Sequence, residues 1–447
     1  MTTLLTKGNE TKALLVFSMP MILGNLLQQL YNVADTLIVG KYLGPKALAA
    51  VGSSYALMVL LTSVVLGLCM GSGIVFAQLF GAKQDDRLKT ALPNAFGLIA
   101  TITLLLTLLS YTLLEQFIRW LRIPAEAAPL AAEYLYIIFG GMGFVFLYNF
   151  FASALRSIGN TMVPLLFLGV AAVINIVLDI TFILFLNWGI AGAAIATVIA
   201  QAFSAVAIVV YFLLKTPELC PRRQHFRLDR RLLSLICSNS LLTSIQQSIM
   251  NFGILMIQGL VNSFGLAATA AFAAVVKIDA FAYMPAQDFG NAFATFVAQN
   301  AGAGQHQRIQ KGTRSAVMIS CVFCLLSSAA VNLFARPLML LFLAPEQSEI
   351  IAIGIQYLRI EGSCYVGIGI LFLLYAFYRG LGRSQMSIVL TILSLGSRVL
   401  LAYLLAPIPQ VGLVGIWWAI PIGWALADAF GLWYLFRYRH TLLTIRL

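Results

Sequence analysis

The chain has 447 residues, 61% of them hydrophobic and only 10% charged, with a formal net charge of +12. A soluble protein of this size interleaves charges at helical or strand period, whereas residues 163–186 here carry one charge and 190–214 none, so lipid is the solvent. That excludes a soluble enzyme core, and with no basic domain to grip a duplex the positive charge is assigned to membrane topology and anionic lipid, with no nucleic-acid partner.

Apolar windows able to cross about 30 Å of hydrocarbon fall at 13–39, 48–79, 90–114, 128–155, 161–186, 190–214, 232–262, 267–298, 313–335, 348–377, 385–406 and 412–436. They are too long and too uniformly apolar for the strands of a β-barrel. The sequence therefore predicts an all-α membrane protein of twelve transmembrane helices.

The polar start, Met1 to Thr11, leads into a first span that lacks a clean signal core, so no cleavable signal peptide is expected. In that span Asn25, Gln28, Asn32 and Asp35 recur every three or four residues, a polar stripe on one helical face that cannot point at lipid, with Tyr31 one turn before the acid. In the fifth span Asn175 and Asp179 stand four apart, and the sixth adds Thr197. An acid within the hydrocarbon is costly and usually faces a cavity. A carboxyl pair, Asp35 with Asp179, converging beside amide and hydroxyl groups can take and release a proton. With Asn175 it could equally hold a dehydrated Na+, and the sequence does not decide between the two ions. The bland alternative for these residues is polar glue between helices.

Midway, Lys215 to Arg231 is the most polar internal stretch, with Pro217, Pro221 and five arginines, and reads as an interlobe loop. The expected domains are 1–216, 217–231 and 232–447. The two sides of the loop resemble each other. Ala77-Gln78 through Arg87 recurs as Ala298-Gln299 through Arg308 with a single offset of 221 residues, and Arg156-Ser157-Ile158-Gly159 recurs as Arg379-Gly380-Leu381-Gly382 at 223. Six spans per half is an even number, so the repeats are parallel: two six-helix lobes around a central cleft able to open alternately to each side.

In the second half, the eighth span holds Lys277, Asp279, Tyr283 and Asp288, with Pro285 expected to kink it, and Lys277 and Asp288 share a face. Lys277, Tyr283, Asp288 and, in the tenth span, Glu361 join Asn25, Gln28 and Asn32 as candidate substrate contacts, since aromatic rings and acids suit flat hydrophobic cations. Arg359, Glu361, Arg398 and Asp428 have no partner within their own spans, and structural ion pairing is the bland reading for them. Most basic residues, among them Lys83, Arg87, Lys89, Arg308, Lys311, Arg379, Arg383 and Arg446, fall on one side of this topology. Lys41, Lys46, Arg119, Arg122 and Arg336 fall on the other. Both termini are thus expected in the cytoplasm, around an inner (plasma) membrane. No P-loop, phosphate cradle or HExxH is present, so neither ATP drive nor enzymatic chemistry is expected and no cofactor is called for.

The first-span run Pro20 to Asp35, the duplicated Ala-Gln-x-x-Gly-Ala motif, Leu155 to Asn160, Asn175-Ile176-Val177-Leu178-Asp179 and Gly192 to Thr197 together resemble the multidrug and toxic compound extrusion (MATE) family. The resemblance implies a monomeric antiporter that exports amphipathic or cationic small molecules in exchange for protons or sodium ions. It further implies the prokaryotic branch with a first-helix aspartate, whose ion-responsive site would comprise Asp35, Tyr31, Asn175, Asp179 and Thr197. The seventh span, 232–262, departs from the family's second-lobe sodium pattern by having no acid, and at the repeat offsets Asp35 falls opposite Met256 and Asp179 opposite Ala402. Ion coupling is therefore expected in the first lobe alone. The alternative reading is a flippase for lipid-linked oligosaccharide.

Overall fold

A computed structural model describes residues 5–121, 123 and 126–442. The chain ends to which the cytoplasmic-terminus expectation refers, and Arg122 and Arg446 of the charge tally, lie outside the described residues. Sixteen α-helices and no strand occur among the described residues: α1 Glu10–Tyr42, α2 Gly44–Gly81, α3 Asp85–Thr112, α4 Leu114–Trp120, α5 Ala128–Gly140, α6 Met142–Ser157, α7 Met162–Ile180, α8 Gly189–Lys215, α9 Arg230–Asn262, α10 Leu266–Gly302, α11 His306–Leu333, α12 Ala335–Leu340, α13 Ser348–Gly362, α14 Tyr365–Gly380, α15 Ser384–Leu405 and α16 Gly412–Leu442.

Ten helices are long and apolar enough to cross a bilayer, and twelve spans result when α5 with α6 and α13 with α14 are each counted as one. These pairs are bent by 43° and 51°, where the sequence reading has single spans at 128–155 and 348–377. The breaks fall at Gly140-Gly141 and Gly362-Ser363, small residues that hold a helix together weakly. The short helices α4 and α12, both unforeseen, also occupy matching places in the two repeats.

The duplicated motifs are helix endings. After α2 the amides of Lys83 and Gln84 reach back to the carbonyls of Phe80 and Leu79, and after α10 those of Gly304 and Gln305 reach Ala301 and Asn300. The same pair of bonds closes α6 through Gly159 and Asn160, and α14 through Gly382 and Arg383. Each ending turns on one left-handed residue, with φ of 56° at Lys83, 68° at Gly304, 91° at Gly159 and 72° at Gly382. Glycine adopts that conformation without steric cost, which accounts for its place in three of the four copies.

The chain divides into two compact units, residues 19–244 and residues 5–18 together with 245 onward. The start of α1 thus belongs to the second unit and the start of α9 to the first. In the first unit, α9 approaches α2 through Gly67 and Gly71, where an added Cβ would lie 2.4 Å from Ser244 Cα and 2.4 Å from Asn239 O. The close approach lets Ser244 Oγ donate to Val64 O at 3.1 Å, the small-xxx-small packing that serves helices in lipid. In the second unit Arg308 spreads its guanidinium over the carbonyls of Leu5, Lys7 and Gly8 at 3.1, 2.8 and 2.6 Å, and Asn300 Nδ2 adds a bond to Leu5 O.

Candidate functional site

In the first unit, α1, α5, α7 and α8 bring polar groups together at depths where lipid-length helices are otherwise apolar. Small buried residues on α8, Gly192, Ala193 and Ala196, allow it close to the preceding span: a Cβ on Gly192 would stand 3.0 Å from Phe182 Cβ. Asn175 Nδ2 can therefore donate across to Thr197 Oγ1 at 3.4 Å. One turn further along α7, Asp179 is fully buried, and directly after it the helix widens into a π turn at Thr181–Phe185. Such turns gather at functional sites because they re-aim the side chains next to them.

The carboxyl group of Asp35 on α1 meets that of Asp179 within hydrogen-bond reach. Two ionised carboxylates are both acceptors and cannot bond each other, so a hydrogen bond between them needs a proton on one of the two. Among the described residues no protein group donates to Asp35 Oδ1, to either oxygen of Asp179 or to Asn175 Oδ1, all of them buried. Four oxygens without a donor in one place are costly unless a positive charge arrives to satisfy them. Tyr31, hydrogen-bonded by Gln28, and the buried Tyr134 of α5 complete the surroundings, both close enough to feel the charges of Asp35 and Asp179.

Five sequence candidates, Asp35, Asp179, Asn175, Tyr31 and Thr197, are thus assembled in one place, and Gln28 reaches its edge through Tyr31. Asn32 instead donates to Gln29 on its own helix at 3.4 Å, and Asn25 sits half-buried further back on α1. Tyr134 was not foreseen, because an aromatic residue in an apolar window carries no signal of its own.

The second unit holds a different acid cluster. Asp279 of α10 accepts a hydrogen bond from Tyr357 at 2.8 Å on one oxygen and from Tyr365 on the other. Glu361 of α13 is buried beside it, within hydrogen-bond reach of Tyr357, and Arg398 of α15 supplies the nearby positive charge. Trp417 closes the cluster, stacked on Phe272 with centroids 5.8 Å apart and edge-on to Tyr357 at 4.8 Å. Two of the sequence candidates belong here, Glu361 and Tyr283, the latter packed on Tyr365 with centroids 6.4 Å apart. Lys277 does not: it is exposed, two residues from Asp279 and hence on another face, with its ammonium over the Phe342 ring at 5.9 Å. Asp288 is half-buried on α10, about 13 Å further along the helix axis at 1.5 Å per residue. Sequence reasoning named Asp279, Tyr283, Glu361 and Arg398 singly without joining them, although Tyr357, Glu361 and Tyr365 recur every four residues and would have marked the cluster.

Bundled apolar spans in two units, with two buried carboxyl groups meeting inside one of them, are those of a polytopic membrane protein of the transporter class and not of an enzyme. The chain belongs to the MatE family, whose match covers residues 20–181 and 240–404. It is 32% identical over 393 residues, 87% of this chain and 86% of the other, to the probable multidrug resistance protein YpnP of Bacillus subtilis strain 168. It is 27% identical over 94% of its length, and 92% of the relative's, to the probable multidrug resistance protein YoeA of the same strain. Among solved structures, a MOP superfamily transporter from Pyrococcus furiosus superposes with a TM-score of 0.92 at 26% identity, covering 98% of each chain.

Proposed function

We propose that this chain is a secondary active exporter of amphipathic or cationic small molecules, driven by protons or sodium ions entering at Asp35 and Asp179. The observation that carries the proposal is the meeting of these two carboxyl groups, with their buried oxygens unserved by any protein donor. A proton between them forms the missing hydrogen bond. A sodium ion would instead collect oxygens from Asp35, Asp179 and Asn175. Either ion changes the charge of a buried site by one unit, enough to bias how α1 packs against α7 and α8 and so to link ion binding to a change of access. The multidrug resistance names of the relatives support the substrate class, with the α1 stripe of Asn25, Gln28 and Asn32 and the second-unit residues Tyr283, Asp288 and Glu361 as substrate contacts. In this reading one chain suffices, both termini are cytoplasmic, the membrane is the inner (plasma) membrane, and the assignment is to the first-helix-aspartate branch. Repeats 1–216 and 232–447 are joined by 217–231.

The test is dye efflux from proteoliposomes under imposed proton or sodium gradients. Asp35→Asn and Asp179→Asn should each reduce gradient-driven efflux to background while the protein remains monodisperse with an unchanged helical spectrum. Wild-type rates from both variants would end the proposal, and the gradient that drives wild-type transport identifies the ion.

A further inference from the structure

The loop between the repeats is a built element and not slack chain. Leu219 and His225 are buried, and short turns form at Pro217–Leu219 and Arg223–His225. His225 accepts from the Arg222 amide through Nδ1 at 2.9 Å, and its Nε2 lies 3.5 Å from Asp86 Oδ1 on α3. Asn94, also on α3, donates to Arg227 O at 2.9 Å, and Asp229 caps α9 by accepting from the amides of Arg231 and Leu232. Everything that fixes the loop points inward.

What points outward is mostly basic or apolar. Arg222, Arg223, Arg227, Arg230 and Arg231 are all exposed, and between them Phe226 and Leu228 are 70% and 71% exposed. Glu218 and Asp229 are the acids of the stretch 216–231, and Asp229 is committed to its cap, so positive charge prevails. Isolated apolar side chains on a surface are ordinary, but here two large ones alternate with arginines on a rigid loop. The loop leaves the membrane span α8 and re-enters the span α9, which holds it at the level of lipid headgroups. Arginines pair with phosphates in that layer, and phenylalanine and leucine gain by reaching the acyl boundary beneath it.

We propose that residues 222–231 are a docking surface for anionic phospholipid headgroups of the surrounding bilayer, with Phe226 and Leu228 inserted below the phosphates. Charge complementarity selects the lipid: each exposed arginine favours an anionic surface over a neutral one by roughly fivefold at low ionic strength. Screening reduces this at physiological salt, where the Debye length is about 8 Å. Because the loop also braces α3 and caps α9, lipid binding there would steady the cytoplasmic ends of both helices.

The test uses full-length Phe226→Trp protein in bilayers of brominated phosphatidylcholine, with and without brominated phosphatidylglycerol, after subtracting the emission of the native tryptophans in the wild type. Quenching of the new tryptophan should be strong with phosphatidylglycerol, weaker in phosphatidylcholine alone, and lowered by salt. Exchanging the five arginines for Gln in the same background should remove the dependence on phosphatidylglycerol. If that variant fails to fold, the pair Arg223→Gln and Arg227→Gln should lose part of it in proportion. Quenching that is equal in both lipids, or unchanged without the arginines, would overturn the proposal. So would a tryptophan reached by aqueous iodide and not by bromolipid. Arginine-dependent capture of an acidic polypeptide or a nucleic acid by such an unquenched protein would assign the surface to that partner instead. None of these outcomes bears on Asp35 and Asp179, so the loop and the transport mechanism stand or fall separately.

Discussion

Asp179 and Asp279 are both buried in membrane-spanning helices, yet their surroundings differ. Asp279 receives two tyrosine hydroxyls and lies in the field of Arg398, while among the described residues neither oxygen of Asp179 is served by a protein donor and it faces another acid, Asp35. Burial therefore does not distinguish a working acid from a scaffold acid. What distinguishes them is whether the protein itself supplies the balancing donors. A satisfied acid fastens α10 to α13 and α14, and an unsatisfied one is what the proposed function enlists to take up a proton or ion.

The comparison is open to attack by substitution. The largest effect is expected from Asp279→Ala, which strands the buried Tyr365 hydroxyl, takes one of two acids from Tyr357 and removes a charge that balances Arg398; about 3–5 kcal/mol of stability should be lost, seen as a sharp drop in the thermal midpoint of purified protein. Asp179→Ala should cost little or even stabilise, since it removes an unserved carboxyl group. Equal losses in the two variants would erase the distinction. A smaller effect belongs to Tyr365→Phe, which takes one of two donors from Asp279 and should cost about 1–2 kcal/mol. Combined with Asp279→Asn it should cost less than the two changes added together. Smallest of all is Thr197→Val, which gives up a long hydrogen bond to Asn175 and should change stability by about 0.6 kcal/mol. A cost of several kcal/mol there would show that the first-unit cluster is structural glue after all.

Much of this was legible in the sequence because lipid enforces simple rules. Span number and the pairing of the repeats follow from window length and offset, four-residue spacing puts Asn175 and Asp179 on one face, and the family resemblance is what joined Asp35 to them. The bends at Gly140-Gly141 and Gly362-Ser363 escaped because hydropathy averages over a break that leaves composition unchanged. The duplicated Ala-Gln-x-x-Gly-Ala and Arg-x-x-Gly segments announced a repeat correctly, but only coordinates show them to be helix endings. That Asp279, Glu361 and Arg398 meet was hidden for another reason. Arg398 lies more than a hundred residues from Asp279, and distance along the chain says nothing about proximity in a helical bundle.

The grip of Arg308 on Leu5, Lys7 and Gly8 joins residues some three hundred positions apart. During synthesis Leu5, Lys7 and Gly8 must wait, unfastened, until Arg308, about two thirds of the way along the sequence, has been made. A peptide tag or trimming close to Leu5 would accordingly disturb the start of α11, some three hundred residues away.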